Sequence, residues 1–195
     1  KLSKSFKIES VTEKEKSKSA REVFKTSTLQ QAASNKLGFA PSKTMKLAQD
    51  LYEGKTLSNE TVGLITYMRT DSTRISDLAL EETRTYVEQR FGSAYIPPKA
   101  NVYAAGKNAQ DAHEAIRPTS VLLAPEDIEQ YLSRDQLRLY TLIWQRFVAC
   151  QMTPAVYDTL SAAIQAGDRY QLKANGSQLK FPGFMAVYAG SEEKK

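Results

Sequence analysis

The chain has 195 residues, enough for one domain of ordinary size or for one domain with parts of a second. Its formal net charge of +5, from 27 Lys and Arg against 22 Asp and Glu, is compatible with a polyanionic partner but does not establish one. No apolar run approaches a membrane span and no signal-peptide pattern opens the chain, so no membrane partner is expected and the expected location is the cytoplasm.

Phe6-Lys7-Ile8-Glu9-Ser10-Val11 alternates apolar and polar residues and predicts a half-buried strand. Residues 12–18 are charged without apolar periodicity and are expected to form a loop or linker. The early run of Lys1, Lys4, Lys7, Lys14, Lys16, Lys18, Arg21 and Lys25 reads as a solvated segment. Thr28 is placed to cap a helix over 29–37 that Gly38 stops, and Ser42 to cap a second over 43–52 that Gly54 stops. The connection 38–41 is short and holds a glycine, so the pair looks like a helix-turn-helix.

Leu64 and Ile65 predict a short buried strand, ended by Thr70-Asp71-Ser72 as a loop. Ser76 then caps a helix with Leu78, Ala79, Thr83, Tyr86, Val87 and Phe91 toward one side, ended by Gly92. Residues 93–109 are loop-like, with Pro97 and Pro98. Pro125 suits the first turn of a short helix reaching 132. Ser133 caps the strongest helix, which ends near Met152 and carries the stripe Leu137, Tyr140, Trp144, Phe147 and Val148. Cys150, the one cysteine, reads as a small buried hydrophobe; it excludes an internal disulfide and a cysteine-based metal site and suits a reducing compartment. Beyond Pro154 the pattern predicts a meander: strands over 156–164, 170–174 and 178–181, with turns at Gly167-Asp168 and Asn175-Gly176. The chain opens at Lys1 without an initiator methionine and closes on a solvated tail, 191–195, so it is read as a fragment of a longer protein.

The order is β edge, helical middle, β end. It predicts an α+β fold, a mainly helical domain inserted between two sequence-distant parts of a β domain. Within it, Tyr67 stands at the end of the 64–65 strand with the Arg69 guanidinium two residues on. If the chain stays extended, both side chains share a face. A hydroxyl nucleophile beside a fixed cation is what attack on a phosphodiester needs. On position alone Tyr67, one of ten tyrosines, reads more simply as a half-buried core residue, and His113, the only histidine, as a surface residue.

The whole string decides otherwise. Ile65-Thr66-Tyr67-Met68-Arg69-Thr70-Asp71-Ser72 closely resembles the active-site segment of the type IA DNA topoisomerases, and Met68 makes it more like the bacterial topoisomerase I branch than topoisomerase III, which usually has proline there. A second block, Gln110-Asp111-Ala112-His113-Glu114-Ala115-Ile116-Arg117-Pro118-Thr119, is similar to the family's "AHEAIRP" segment, at a family-like distance from the tyrosine. Thr28-Leu29-Gln30-Gln31-Ala32-Ala33 and Phe147-Val148-Ala149-Cys150-Gln151-Met152-Thr153-Pro154 also look familiar, so the resemblance runs over about 26–157.

The resemblance implies that Tyr67 attacks a phosphodiester of single-stranded DNA, giving a 5′-phosphotyrosine and a free 3′-OH, and that the parent relaxes negatively supercoiled DNA without ATP. It implies Arg69 and His113 as catalytic and DNA-contacting residues, with His113 on a phosphate oxygen or behind the nucleophile. Arg117, one helical turn on, is a DNA-backbone clamp or else a salt-bridge partner of Asp111 or Glu114. Thr70, Asp71 and Ser72 shape the turn and orient Arg69. The domains implied are 1–26 and 154–195 as β segments of an arch domain and 27–153 as the catalytic-tyrosine domain, with a CAP-like helix-turn-helix. The family binds Mg²⁺ on an Asp-x-Asp-x-Glu cluster of a separate Toprim domain. No Asp-x-Asp occurs here, so no metal is expected on this chain. The partners implied are DNA and the remaining domains of the same polypeptide, in a monomer associated with the nucleoid.

Three other readings compete. A non-enzymatic helix-turn-helix DNA-binding module would leave Tyr67 as packing. A type IB topoisomerase or tyrosine recombinase has an Arg, His-x-x-Arg, Tyr order; here the tyrosine precedes the histidine and the block is His-x-x-x-Arg, which argues against it. A structural fragment with a protein partner is the third.

Overall fold

The computed structural model describes residues 6–103 and 113–192. Its centre is helix α5 (Arg134–Cys150), which starts where a polar cap meets an apolar run. The Gln136 backbone N–H donates to Ser133 Oγ at 3.3 Å and the Ser133 N–H to Gln136 Oε1 at 3.1 Å, closing a reciprocal cap. From its second turn onward Leu139, Tyr140, Ile143, Phe147, Val148 and Cys150 are all buried, so the helix is apolar on more than one face. Leu137, expected in the stripe, is only half-buried, and Leu139 points inward instead. Two polar tips reach carbonyls: Tyr140 Oη donates to Leu123 O at 2.7 Å and Trp144 Nε1 to Val121 O at 2.9 Å.

Around α5 pack α1 (Thr26–Leu37), α2 (Pro41–Glu53), the short α4 (Pro125–Ile128) and the terminal α6 (Ala186–Glu192). Helices α1 and α2 form the expected pair, but their starts differ from the sequence reading. In α1 Thr28 is inside the helix, and its hydroxyl accepts the Lys25 N–H and donates to Lys25 O, both at 3.1 Å. In α2 Pro41 takes the first helical position, where a missing N–H costs nothing, so Ser42 is not the cap. Gly38 ends α1 at φ 71°, the left-handed conformation expected of a glycine stop. Helix α3 (Asp77–Phe91) has the predicted bounds. Ala79, Thr83 and Val87 face inward at a spacing of four, while Leu78 is 78% exposed and faces solvent. A single 3₁₀ turn, Ser93–Tyr95, interrupts the loop that follows; its remainder from 104 lies outside the described residues. The predicted helix at 125–132 is α4 continued by a 3₁₀ turn, Glu129–Tyr131.

A small hairpin, β2 (Lys55–Leu57) and β3 (Glu60–Val62), was not anticipated. The larger sheet is β1 (Phe6–Lys18), β4 (Ala155–Ala166) and β5 (Tyr170–Phe181), antiparallel in the order β1-β4-β5. Three expectations change here, the first being burial: the strand at 6–11, expected to be half-buried, is exposed at every position. Residues 12–18 continue β1 and pair with 155–161. Asn175-Gly176 is no turn: it lies inside β5 opposite Ser161 and Leu160, so the meander of three short strands is one long hairpin. The 12–18 stretch escaped the periodicity test because every residue of β1 is exposed, Phe6 at 59% included; a strand open on both faces needs a backbone ladder, not alternation. The tail read as solvated contributes its first two residues to α6, and 193–195 lie outside the described residues. Gly183 joins sheet to helices at φ 49°, and a Cβ there would collide with the Pro154 carbonyl. Among the described residues no helix is long and apolar enough to cross a membrane.

Candidate active site

The segment 63–72 is threaded between two partners, and threonine hydroxyls pin it on both sides of Tyr67. On the N-terminal side it pairs with 115–119: Thr66 N–H donates to Arg117 O at 2.9 Å and Thr119 N–H to Leu64 O at 3.0 Å. The Thr66 hydroxyl donates to Ala115 O at 2.6 Å and accepts the Arg117 N–H at 3.0 Å. Leu64 and Ile65 are buried as predicted, though only one isolated bridge, Ile65 to Pro118, completes the strand pairing. On the C-terminal side Thr26, at the start of α1, donates its hydroxyl to Met68 O at 2.7 Å and accepts the Thr70 N–H at 2.9 Å.

Between these anchors the chain bends at Met68–Arg69, so the segment is not fully extended past Tyr67. Burial still alternates. Met68 and Thr70 are buried while Tyr67, at 38%, and Arg69 are exposed, which leaves phenol and guanidinium on the open side. Among the described residues nothing pairs with the Arg69 guanidinium. Beyond it the buried hydroxyls of Thr70 and Ser72 accept the N–H groups of Ser72 and Arg74 at 3.0 and 3.1 Å, building the turn the sequence implied.

His113 is brought to Tyr67. Ala115 N–H donates to Arg74 O and Ile116 N–H to Phe24 O, each at 2.8 Å, so the block runs as extended chain beside the tyrosine loop. The His113 and Tyr67 rings stack with centroids 5.8 Å apart and an interplanar angle of 29°. Tyr52, in the last turn of α2, also meets Tyr67, in a T-shaped contact at 5.4 Å and 67°. Tyr67 is thus in contact with two aromatic rings.

Arg117 is not a helical turn from His113, because 113–117 is extended. Its guanidinium is committed: Nη2 and Nε lie 2.6 and 2.7 Å from Glu114 Oε2, Nη1 donates to Pro118 O at 3.0 Å, and Nη2 reaches Ser76 Oγ at 3.4 Å. Of the two readings the sequence left open, the salt bridge with Glu114 is the arrangement present. Asp111, the other partner considered, lies outside the described residues with Gln110 and Ala112.

The sequence reading missed Tyr52, Thr26 and Thr66. Tyr52 gave no signal: that it lies off the face buried by Thr44, Ala48 and Leu51 is seen only in the packed helix. Thr26 had none, lying 42 residues from the carbonyl it holds. The groups around Tyr67 are phenols, an imidazole, a guanidinium and hydroxyls, which do not make a hard-cation site of several carboxylate oxygens. Among the described residues no cluster of three His, Cys, Asp or Glu is placed to hold a metal ion.

Two comparisons bear on this geometry. A family model described as DNA topoisomerase matches residues 1–195. Full-length topoisomerase I from Thermotoga maritima is similar in structure, with a TM-score of 0.83 and 42% identity over 94% of this chain and 29% of that one. The chain therefore spans less than a third of that relative.

Proposed function

Because the chain belongs to the bacterial type IA DNA topoisomerases, we propose that it carries the nucleophile half of a strand-cleaving and religating centre, with Tyr67 as nucleophile. The observation that carries this reading is the exposed Tyr67 ring, in contact with Tyr52 and His113, with an exposed arginine two residues on that pairs with nothing among the described residues.

Tyr67 Oη attacks the phosphorus of a phosphodiester in single-stranded DNA. Tyr67 gives up its phenolic proton as the new P–O bond forms, the bond to the 3′ oxygen breaks, that oxygen takes up a proton to leave as a free 3′-OH, and the 5′ phosphate stays on tyrosine. One phosphodiester replaces another, so the reverse step reseals the strand without ATP, and passage in between relaxes negative supercoils. A free phenol has a pKa near 10, so at neutral pH it needs an adjacent cation or base. Arg69 supplies the cation: permanently charged and forked, it holds the phosphoryl oxygens as their charge builds. His113 donates to a non-bridging oxygen or the neighbouring phosphate. Arg117, through Glu114, holds the strand that carries His113; its DNA contact is secondary.

The domain reading follows: 27–153 as the catalytic-tyrosine domain, with 1–26 and 154–195 as two parts of an arch domain, supported by the pairing of β1 with β4. Mg²⁺ belongs to a Toprim domain elsewhere in the full-length enzyme, and no step here runs through it. The partners are single-stranded DNA and the remaining domains of the same polypeptide, which functions as a cytoplasmic monomer.

The test is trapping of the covalent adduct on a single-stranded oligonucleotide with the full-length enzyme. Tyr67→Phe is expected to abolish the adduct and keep DNA binding, and Arg69→Ala to slow cleavage by roughly 10²–10³. Normal relaxation by Tyr67→Phe would leave only the non-enzymatic DNA-binding reading.

A further inference from the structure

We infer that Tyr52 is a positioning residue for Tyr67, setting the direction of the nucleophile's hydroxyl; the inference rests on the reading of Tyr67 as nucleophile. Tyr52 is 41% exposed although large and aromatic, and it sits off the buried face of α2. Among the described residues its ring meets one other ring, that of Tyr67, and its hydroxyl has no hydrogen-bond partner. Core packing therefore does not account for it.

The backbone around it is fixed against the tyrosine loop. Leu64 N–H donates to Leu51 O at 2.8 Å, one residue from Tyr52. Gly63 lies so close to the Tyr52 carbonyl that a Cβ there would stand 2.9 Å from the oxygen, so only a residue without a side chain fits. Gly54, at φ 114°, ends α2 and turns the chain into the β2–β3 hairpin, which returns it to Gly63. The end of α2 and the start of the tyrosine loop are thus one rigid unit, and the two rings leave it side by side.

An exposed tyrosine at a loop bend has several staggered χ1 wells open to it. Here the T-shaped contact with Tyr52 at 5.4 Å and the stacked contact with His113 at 5.8 Å restrict the space open to the ring. Fewer of those wells remain, and losing the Tyr52 ring would reopen them. In-line attack depends steeply on such orientation. The Tyr52 hydroxyl has no part in this, because the contact is made by the ring.

The experiment compares Tyr52→Ala and Tyr52→Phe in the full-length enzyme, with Tyr67→Phe in parallel. It measures single-turnover cleavage of an oligonucleotide, its Kd, and the thermal unfolding midpoint. Tyr52→Ala is expected to slow cleavage about tenfold, with Kd changed less than about twofold and unfolding unmoved. Tyr52→Phe is expected to cleave at nearly the wild-type rate. The inference is overturned if Tyr52→Ala cleaves normally, if it loses affinity instead of rate, or if Tyr52→Phe is equally slow. A Tyr67→Phe enzyme that still forms the adduct would sink the nucleophile assignment instead, a distinct result.

Discussion

Every residue of β1 is exposed, and β5 is exposed along all but its last residue, whereas the second half of α5 is buried almost without exception. The sheet is held by its ladder and by cross-strand neighbours such as the Ile8–Ile164–Leu172 row, and by Lys180 lying between Glu15 and Asp158. The helical body is held by side chains with no contact to water. The tyrosine loop sits on the body, where part-buried threonine hydroxyls tie it to two distant segments. The same chain thus has a region where single side chains matter little and one where each carries several contacts, and the proposed chemistry is placed in the second.

The contrast is most easily broken by truncating one apolar side chain in each region. Phe147→Ala removes a ring that is 1% exposed and is expected to cost about 3–5 kcal/mol of unfolding free energy. Leu172→Ala, at a position 48% exposed, is expected to cost under about 0.5 kcal/mol. Urea denaturation of the two variants checks this. Equal costs would mean that the sheet face is covered in the full-length protein.

A sharper comparison uses one residue type in both regions. Thr66→Val removes the donor to Ala115 O and the acceptor of the Arg117 N–H, both where water replaces them poorly, and is expected to cost about 1–3 kcal/mol. It should also loosen the strand that brings His113 to Tyr67. Thr159 donates to Lys14 O at 2.8 Å in an exposed part of the sheet, so water takes over that bond and Thr159→Val is expected to be nearly neutral. Denaturation midpoints, with amide exchange at Arg117, separate the two.

The helical body was the more legible region. Where a serine precedes apolar residues at helical spacing and a glycine or proline follows, Gly92 after α3 and Pro154 after α5, the bounds could be read to within about two residues. At α1 and α2 the elements were legible and the caps were not, since Pro41 as a first residue and Thr28 as an inside partner both look like caps in one dimension. The sheet read poorly at β1 and β5, which are exposed on both faces: the charges of 12–18 and the Asn175-Gly176 pair look like loop in a sequence and are tolerated in an open ladder. At the candidate site, the two segments that the fold brings together, around Tyr67 and around His113, were legible from their motifs. The ring of Tyr52 and the hydroxyl of Thr26 were not, because their meaning comes from contacts made across the fold.

The smallest effect concerns the ionisation of a group that only the body contains. Cys150 is fully buried near the end of α5, and burial pushes its thiol up to about 12. In the unfolded chain the same thiol ionises near 8.5. Between those values the folded state keeps a proton that the unfolded state has lost, so stability is full below about pH 8.5 and falls as pH rises above it. Going from pH 7 to 9.5, the wild-type protein is expected to lose about 1 kcal/mol more than Cys150→Ala, whose own cavity cost is the same at both pH values. Buried Tyr140 and half-buried Tyr103 are shifted upward in the same way, but they begin to act only near pH 10 and are present in both proteins. Urea denaturation at the two pH values gives the difference of differences. Equal losses would mean that the thiol ionises freely in the folded protein, and that the end of α5 opens to water far more readily than the rest of the body.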